Sequence, residues 1–270
     1  MLMMYGIAFR LARVRFTLSY LAALASVSIA LLMLGPQAHE RAIRHASTNL
    51  HNLAHGRLGT LWNSAFVIDE GPLYFWLPCL ACLLALAELH LRTGRLAAAF
   101  IVGHLGATLL VASALAGAVT FGWLPWSMTR VSDVGMSYGA LAVLGALTAT
   151  IARRWRPAWV GWWVSLGIAA AITGGGFTDC GHAIALALGM LMTMRFSHPI
   201  RWTPPRYALL VASSGFGFLL LAHTTWTSAN GLVLGIAGAV AAHSIARRIT
   251  LRGVQGRRDS GTAPCPVPSG

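Results

Sequence analysis

The sequence has few charged residues for its length, and it contains no lysine. Charged side chains make up 10% of its 270 residues, hydrophobic ones make up 56%, and the mean hydropathy is +0.66. Soluble globular proteins carry roughly one quarter charged residues, so this chain has too little polar surface to cover its apolar surface in water. The scarcity of charge excludes an ordinary soluble protein and makes lipid the expected solvent.

Cysteine and acidic residues are also scarce. The four cysteines include one C-x-x-C pair, Cys79 and Cys82, which lies in an apolar stretch with no second ligand pair at zinc-site spacing. The sequence thus predicts no disulfide framework, no metal site and no cofactor. The net charge of +13 comes from short arginine clusters without the interleaved aromatic residues of a nucleic-acid surface. No nucleic-acid partner is expected.

The apolar residues form long continuous stretches. In lipid the backbone must satisfy its hydrogen bonds internally, so stretches of about 20 apolar residues predict membrane-spanning helices. The first stretch has full span length, which favours a span over a cleaved signal peptide. The sequence therefore predicts an all-α polytopic membrane protein with eight spans, at 16–34, 73–90, 97–120, 135–152, 158–174, 180–194, 207–224 and 229–246.

The arginines alternate between the two sides of this arrangement. Loops on one side hold Arg10, Arg13, Arg15, Arg92, Arg95, Arg153, Arg154, Arg156, Arg195, Arg201, Arg206, Arg247, Arg248, Arg252, Arg257 and Arg258, and loops on the other hold only Arg41, Arg44, Arg57 and Arg130. Because cytoplasmic loops of membrane proteins are enriched in arginine and lysine, the rich side is assigned to the cytoplasm. The sequence predicts a multi-pass plasma-membrane protein with both termini in the cytoplasm.

Two polar segments flank the predicted spans. The long outer loop, 35–71, carries apolar residues at near-helical spacing, which predicts an amphipathic helix at the membrane interface. The residues at 247–270 are polar and rich in glycine and proline, and this composition predicts a disordered cytoplasmic tail.

Ser137 and His182 are the strongest candidates for chemistry. Ser137 lies sixteen residues before Arg153, and His182 lies thirteen before Arg195, which puts them about 24 and about 20 Å above the cytoplasmic arginines of their spans. The two side chains can therefore share one depth near the outer face. A serine needs an adjacent base to act as a nucleophile, although a Ser–His pair can equally be an interhelical hydrogen bond.

At these residues the sequence resembles the rhomboid family of intramembrane serine proteases. That family has a Gly-x-Ser motif with a later glycine in its fourth core helix and a histidine followed by small residues in its sixth. The matching residues are Gly135, Ser137 and Gly145, and then His182, Ala185 and Gly189. Ser64-Ala65-Phe66 and the stretch from Glu88 to Arg95 look like the family's segments around core helix two. The resemblance covers roughly 60–195.

The resemblance implies a rhomboid-like six-helix core at 16–194, preceded by a cytoplasmic segment, 1–15, and followed by two additional spans within 195–246. It implies that Ser137 is the nucleophile and His182 the general base in cleavage of single-span membrane proteins near the outer face. The residues implied as oxyanion or rim positions are Gly135, Met136, Tyr138, Asp133 and Asp179. Glu88, four residues before Arg92, also has the spacing of a helical ion pair.

Two departures from the family pattern leave the activity open. Tyr138 stands where rhomboids usually place a glycine, and its ring would alter the turn at the serine or narrow access to it. The family's His-x-x-x-Asn is missing at about 76–80. Loss of an oxyanion donor costs about 10²–10³ in rate, and His51, His55 or Asn63 would replace it only if their loop folds inward. The alternatives are an intramembrane serine protease, an inactive relative that binds membrane-protein clients, and, less favoured, a transporter.

Overall fold

The computed structural model describes residues 12–68, 72–193 and 202–260, with side chains up to residue 250. These residues form eleven helices, and no strand occurs among them. The helices are α1 (Arg15–Leu34), α2 (Pro36–Ala46), α3 (Leu50–Ala54), α4 (Thr60–Asn63), α5 (Leu73–Leu91), α6 (Thr93–Thr120), α7 (Ser137–Ala146), α8 (Arg156–Thr173), α9 (Phe177–Thr193), α10 (Pro204–Leu221) and α11 (Thr225–Ser260).

Each of the eight predicted spans overlaps in sequence with a helix. Four of them, α1, α5, α6 and α11 as far as Thr250, are long and apolar enough to cross a membrane by length and composition. Helices α7 and α9 are shorter and apolar, and α7 is buried from Tyr138 to Ala146. A helix enclosed by other helices does not itself have to match the bilayer thickness. The prediction of an all-α polytopic membrane protein is confirmed, and the count of eight spans stays a prediction.

The two polar segments also contain helices. The long outer loop, for which an amphipathic helix is predicted, forms three short helices, α2 to α4, and α2 is strongly amphipathic. The chain turns between them at Asn49, which caps α3, and at Gly56, which has a φ of 73°. Helix α11 continues to Ser260, so the prediction of disorder from 247 is wrong as far as that residue. Apolar residues such as Ile249 and Leu251 recur there, and the first proline after α11 comes only at Pro264. Residues 261–270 lie outside the described residues.

The central helix, α7, packs against α9 through glycines. Gly145 lies against the carbonyl oxygen of Leu186, and Gly189 lies against the carbonyl oxygen of Ala142. A Cβ at either glycine would overlap the backbone of the other helix, so both positions need glycine for the helices to approach this closely. This backbone-to-backbone contact fixes the spacing and rotation of the two helices that carry Ser137 and His182.

Glu88 joins the ends of three helices at the side opposite Ser137. Its carboxylate accepts hydrogen bonds from the Phe16 N–H at 3.0 Å, from the Thr17 N–H and hydroxyl at 2.9 and 2.8 Å, and from the Thr93 hydroxyl at 2.7 Å. The spacing to Arg92 predicts an ion pair, but α5 ends at Leu91, Arg92 has a φ of 68°, and no Glu88–Arg92 ion pair forms among the described residues. The hydrogen-bond donors of α1 and α6 stabilise the Glu88 carboxylate instead of that arginine.

The last two helices pack against different parts of the core. Helix α10 lies along α5, where the rings of Phe216 and Trp76 are 5.8 Å apart. Helix α11 runs along α8, and Gly161 contacts Gly238 at their crossing. Because α10 sits beside α5 and α7, it becomes a wall of the space in front of Ser137.

Candidate active site

Ser137 and His182 are in direct contact. Ser137 is the first residue of α7, His182 lies in the second turn of α9, and the distance from Ser137 Oγ to His182 Nε2 is 2.9 Å. The His182 side chain is buried, and its Nδ1 has no hydrogen-bond partner among the described residues. The structure therefore brings together the two residues that the sequence singled out, in the geometry that proton transfer between a hydroxyl and an imidazole requires.

The turn before α7 positions Ser137 next to His182. Gly135 has a φ of 124°, a conformation that favours glycine, and its N–H donates to the Ser64 carbonyl oxygen at 2.8 Å. The neighbouring Asp133 N–H donates to the Ser47 hydroxyl, also at 2.8 Å. The start of α7 is thus tied to the long outer loop by hydrogen bonds, and this fixes where the helix begins.

Ser137 and His182 line one cavity of about 450 Å³. The predicted rim residues Asp133, Gly135, Met136 and Asp179 all line it, and so do residues of α5, α9, α10 and the connecting loops that were not predicted. The additional lining residues are Ile68, Trp76, Ser132, Val134, Gly174, Gly176, Thr178, Leu219, Leu220 and His223. The cavity is large enough for a peptide segment or a few side chains.

Tyr138 lies behind the histidine and does not line this cavity. Its ring meets the His182 ring edge to face, with centroids 5.4 Å apart and an interplanar angle of 81°. Its hydroxyl packs against Gly181. The ring therefore does not stand in front of Ser137, because consecutive residues of a helix are rotated by about 100° about its axis. The ring instead holds the His182 imidazole in place.

The two aspartates have different surroundings, and neither is bonded to His182. Asp179 is buried, accepts a hydrogen bond from the Gly176 N–H at 3.1 Å, and lies 3.5 Å from His223 Nδ1 through its other oxygen. Burial raises the pKa of Asp133 to about 6, so this rim carboxyl group takes up a proton as the pH falls through that value. Sequence reasoning missed His223 as a site residue, because its position next to Asp179 depends on how α10 packs.

None of the suggested replacements for the missing oxyanion residues reaches the cavity. His51 and His55 contact each other, with ring centroids 4.4 Å apart, and neither they nor Asn63 line the space in front of Ser137. Trp76, at the start of the stretch that corresponds to the family's His-x-x-x-Asn, does line it. No group of three or more possible metal-ligating side chains comes together among the described residues.

Comparison with known proteins gives one match. The family model described as rhomboid-like protein matches residues 10–197, a segment that contains α1 to α9 and both members of the Ser137–His182 pair. Helices α10 and α11 lie beyond the matched segment. No curated protein and no solved structure matches the chain. Because the matched segment covers more than half of the sequence, the protein belongs to the rhomboid-like protein family.

Proposed function

We propose that this protein is an intramembrane serine endopeptidase that cleaves membrane-protein substrates near the outer face of the membrane. Ser137 is the nucleophile and His182 is the general base. The observation that supports this most directly is the 2.9 Å contact between Ser137 Oγ and His182 Nε2 at the wall of an open cavity. A purely structural hydrogen bond between two helices would not require a cavity in front of it.

The proposed reaction uses the two residues as a dyad. His182 Nε2 takes the proton of the Ser137 hydroxyl while Oγ attacks the scissile carbonyl carbon, and the same nitrogen then protonates the leaving amine. Water that enters through the cavity hydrolyses the acyl-enzyme in the reverse sequence. Asp179 interacts with His223 and not with His182, and among the described residues no carboxylate is bonded to the base.

The first turn of α7 supplies donors for the oxyanion in this proposal. The N–H groups at a helix start have no intrahelical partners, and the helix dipole favours negative charge there. Ser137 is the first residue of α7, so the negative oxygen of the tetrahedral intermediate forms beside these groups. One backbone donor of this kind contributes about 10²–10³ in rate.

Client binding without cleavage is the second candidate. It is favoured by the apolar side of the cavity, where Trp76, Leu219 and Leu220 lie. Trp76 also stands where active rhomboids have a polar oxyanion donor. In this case the cavity would hold a client segment while Ser137 and His182 form only an interhelical hydrogen bond.

The deciding experiment is covalent labelling of the purified protein in detergent micelles with a fluorophosphonate probe. We expect the wild-type protein to label, Ser137→Ala to lose all labelling, and His182→Ala to label at least about 10³-fold more slowly. The matched control is Ser132→Ala, since Ser132 is a serine of the same cavity and should leave the rate unchanged. Labelling that survives Ser137→Ala, or none in the wild type while an active rhomboid labels, would favour client binding.

A second variant pair tests the ring behind His182. Tyr138→Ala removes the edge-to-face contact with His182, so the imidazole is less constrained and labelling should slow by about tenfold to a hundredfold. Tyr138→Phe keeps the ring and should label close to the wild-type rate. The measurement is the labelling rate constant at saturating probe, after circular dichroism has shown that both variants are folded. Equal rates for Tyr138→Ala and Tyr138→Phe would show that the ring does not position the base.

A further inference from the structure

A second cavity lies on the arginine-rich side of the protein, which the charge pattern assigns to the cytoplasm, between the start of α8 and the part of α11 around His243. Its volume is about 670 Å³, and its polar lining comes chiefly from Arg153, Arg154, Arg247 and His243. Trp155 forms another part of its wall. The cavity lies far from Ser137 along the helices, at the opposite ends of α7 and α8.

The three arginines form an unbalanced positive cluster. No ion pair or hydrogen bond involves the side chain of Arg153, Arg154 or Arg247 among the residues whose side chains are described, and no acidic residue lines the cavity. Like charges that converge on one cavity repel each other, and an anion between them would remove that repulsion. The electrostatics of the site therefore select an anionic occupant.

His243 adds a polar group that still requires a partner. Its ring stacks on Trp155 with centroids 5.3 Å apart and planes 15° from parallel, and this contact fixes its orientation. Its Nδ1 is buried with no hydrogen-bond partner among the described residues. Buried polar atoms are almost always hydrogen-bonded, so an occupant with hydroxyl or phosphate oxygens would complete this site.

The surroundings of the cavity are those of a membrane interface. Trp155 is half-exposed, and α11 leads from the cavity toward the membrane with exposed apolar side chains at Leu232, Ile236 and Val240. Tryptophan is enriched where headgroups meet acyl chains. A soluble anion would use only the arginines, whereas a phospholipid would also cover this apolar face. Because charged and apolar surfaces lie side by side here, a phospholipid fits the cavity better than a soluble anion does.

We propose that this cavity binds the phosphate headgroup of an anionic phospholipid. The arginines neutralise the phosphate, His243 exchanges a hydrogen bond with the headgroup, and the acyl chains lie along the exposed face of α11. Basic pockets between membrane helices on the cytoplasmic side bind anionic headgroups in this way. The bound lipid joins α8 to α11. This site is independent of the proposed protease activity.

The test is thermal unfolding of the purified protein in a zwitterionic detergent with added lipid. Titration with phosphatidylglycerol should raise Tm progressively, because a ligand of the folded state stabilises it by mass action, whereas phosphatidylcholine with the same acyl chains should not. The apparent affinity should fall about thirtyfold in the double variant Arg154→Gln/Arg247→Gln, or about fivefold for each arginine. The matched control is Arg248→Gln, an exposed arginine of the same helix that does not line the cavity.

Three outcomes would overturn the proposal. An affinity loss as large in Arg248→Gln as in the double variant would show general attraction to surface charge. A Tm rise of the same size with inorganic phosphate alone would assign the cavity to a soluble anion. If the double variant is unfolded before lipid is added, the single variant Arg154→Gln carries the test, and an unchanged affinity there excludes the site.

Discussion

Replacing Gly189 by valine is expected to slow fluorophosphonate labelling of Ser137 by about 10²-fold and to lower the unfolding free energy by about 3 kcal/mol. A Cβ at Gly189 would overlap the carbonyl oxygen of Ala142. Because the obstacle is backbone, no rotamer change can relieve it, and α7 and α9 must move apart. His182 is seven residues earlier on the same helix, so its contact with Ser137 opens, and a displacement of about 1 Å costs about 10²-fold in rate.

The matched control is Gly117→Val, at a glycine of α6 whose Cβ would meet no atom within 4 Å. Thermal unfolding in detergent and the labelling rate would be measured for both variants. The control should keep its labelling and lose little stability. If Gly189→Val labels at the wild-type rate, the α7–α9 contact does not set the geometry of the Ser137–His182 pair.

Glu88→Ala is expected to reduce the unfolding free energy by about 3–4 kcal/mol while the labelling rate of the folded protein stays close to wild type. The substitution leaves the N–H groups of Phe16 and Thr17 and the hydroxyls of Thr17 and Thr93 without their acceptor. Each unsatisfied buried donor costs about 1–3 kcal/mol, and α1 loses its principal polar attachment to α5. Glu88 is at the far end of α5 from the Ser137 cavity, so the site itself should be unaffected.

Two further variants serve as comparisons for Glu88→Ala, one that keeps a hydrogen-bond acceptor at residue 88 and one that removes an exposed carboxylate. Glu88→Gln retains one acceptor oxygen and should cost less than Glu88→Ala. Glu40→Ala removes an exposed carboxylate that lies 3.6 Å from Arg44, and such surface pairs contribute about 0–1 kcal/mol. The comparison uses denaturant or thermal unfolding. A loss for Glu88→Ala no larger than that for Glu40→Ala would mean that α1 is held by its apolar contacts alone.

Features that depend on local sequence were predicted well. The apolar stretches placed a helix at each predicted span, because hydrophobicity over about 20 residues is sufficient to indicate one. Counting residues to the arginines of the same spans predicts a common depth for Ser137 and His182, since a helix rises by 1.5 Å per residue, and their depth in the membrane stays a prediction. The family membership followed from motif spacing in those same helices, and the match over residues 10–197 confirms it.

Features that depend on neighbouring helices were not predictable. Tyr138 follows Ser137 in the chain, yet its ring supports His182 from behind because α9 packs on that face of α7. His223 lies next to Asp179 only because α10 packs beside the cavity. Glu88 has the spacing to pair with Arg92, but the helix ends between them and α1 supplies the donors instead.

By itself the sequence determined that this protein is a bundle of membrane helices with a serine and a histidine at one depth. Hydropathy and helical rise are properties of single segments, and charge alternation only compares loops in chain order, so none of them requires knowledge of how the helices pack. Only the tertiary structure decided that the two side chains meet at 2.9 Å and open into a cavity. That outcome requires each helix to take one rotation about its axis, and the rotation is set by contacts such as Gly189 on Ala142, which join residues distant in sequence.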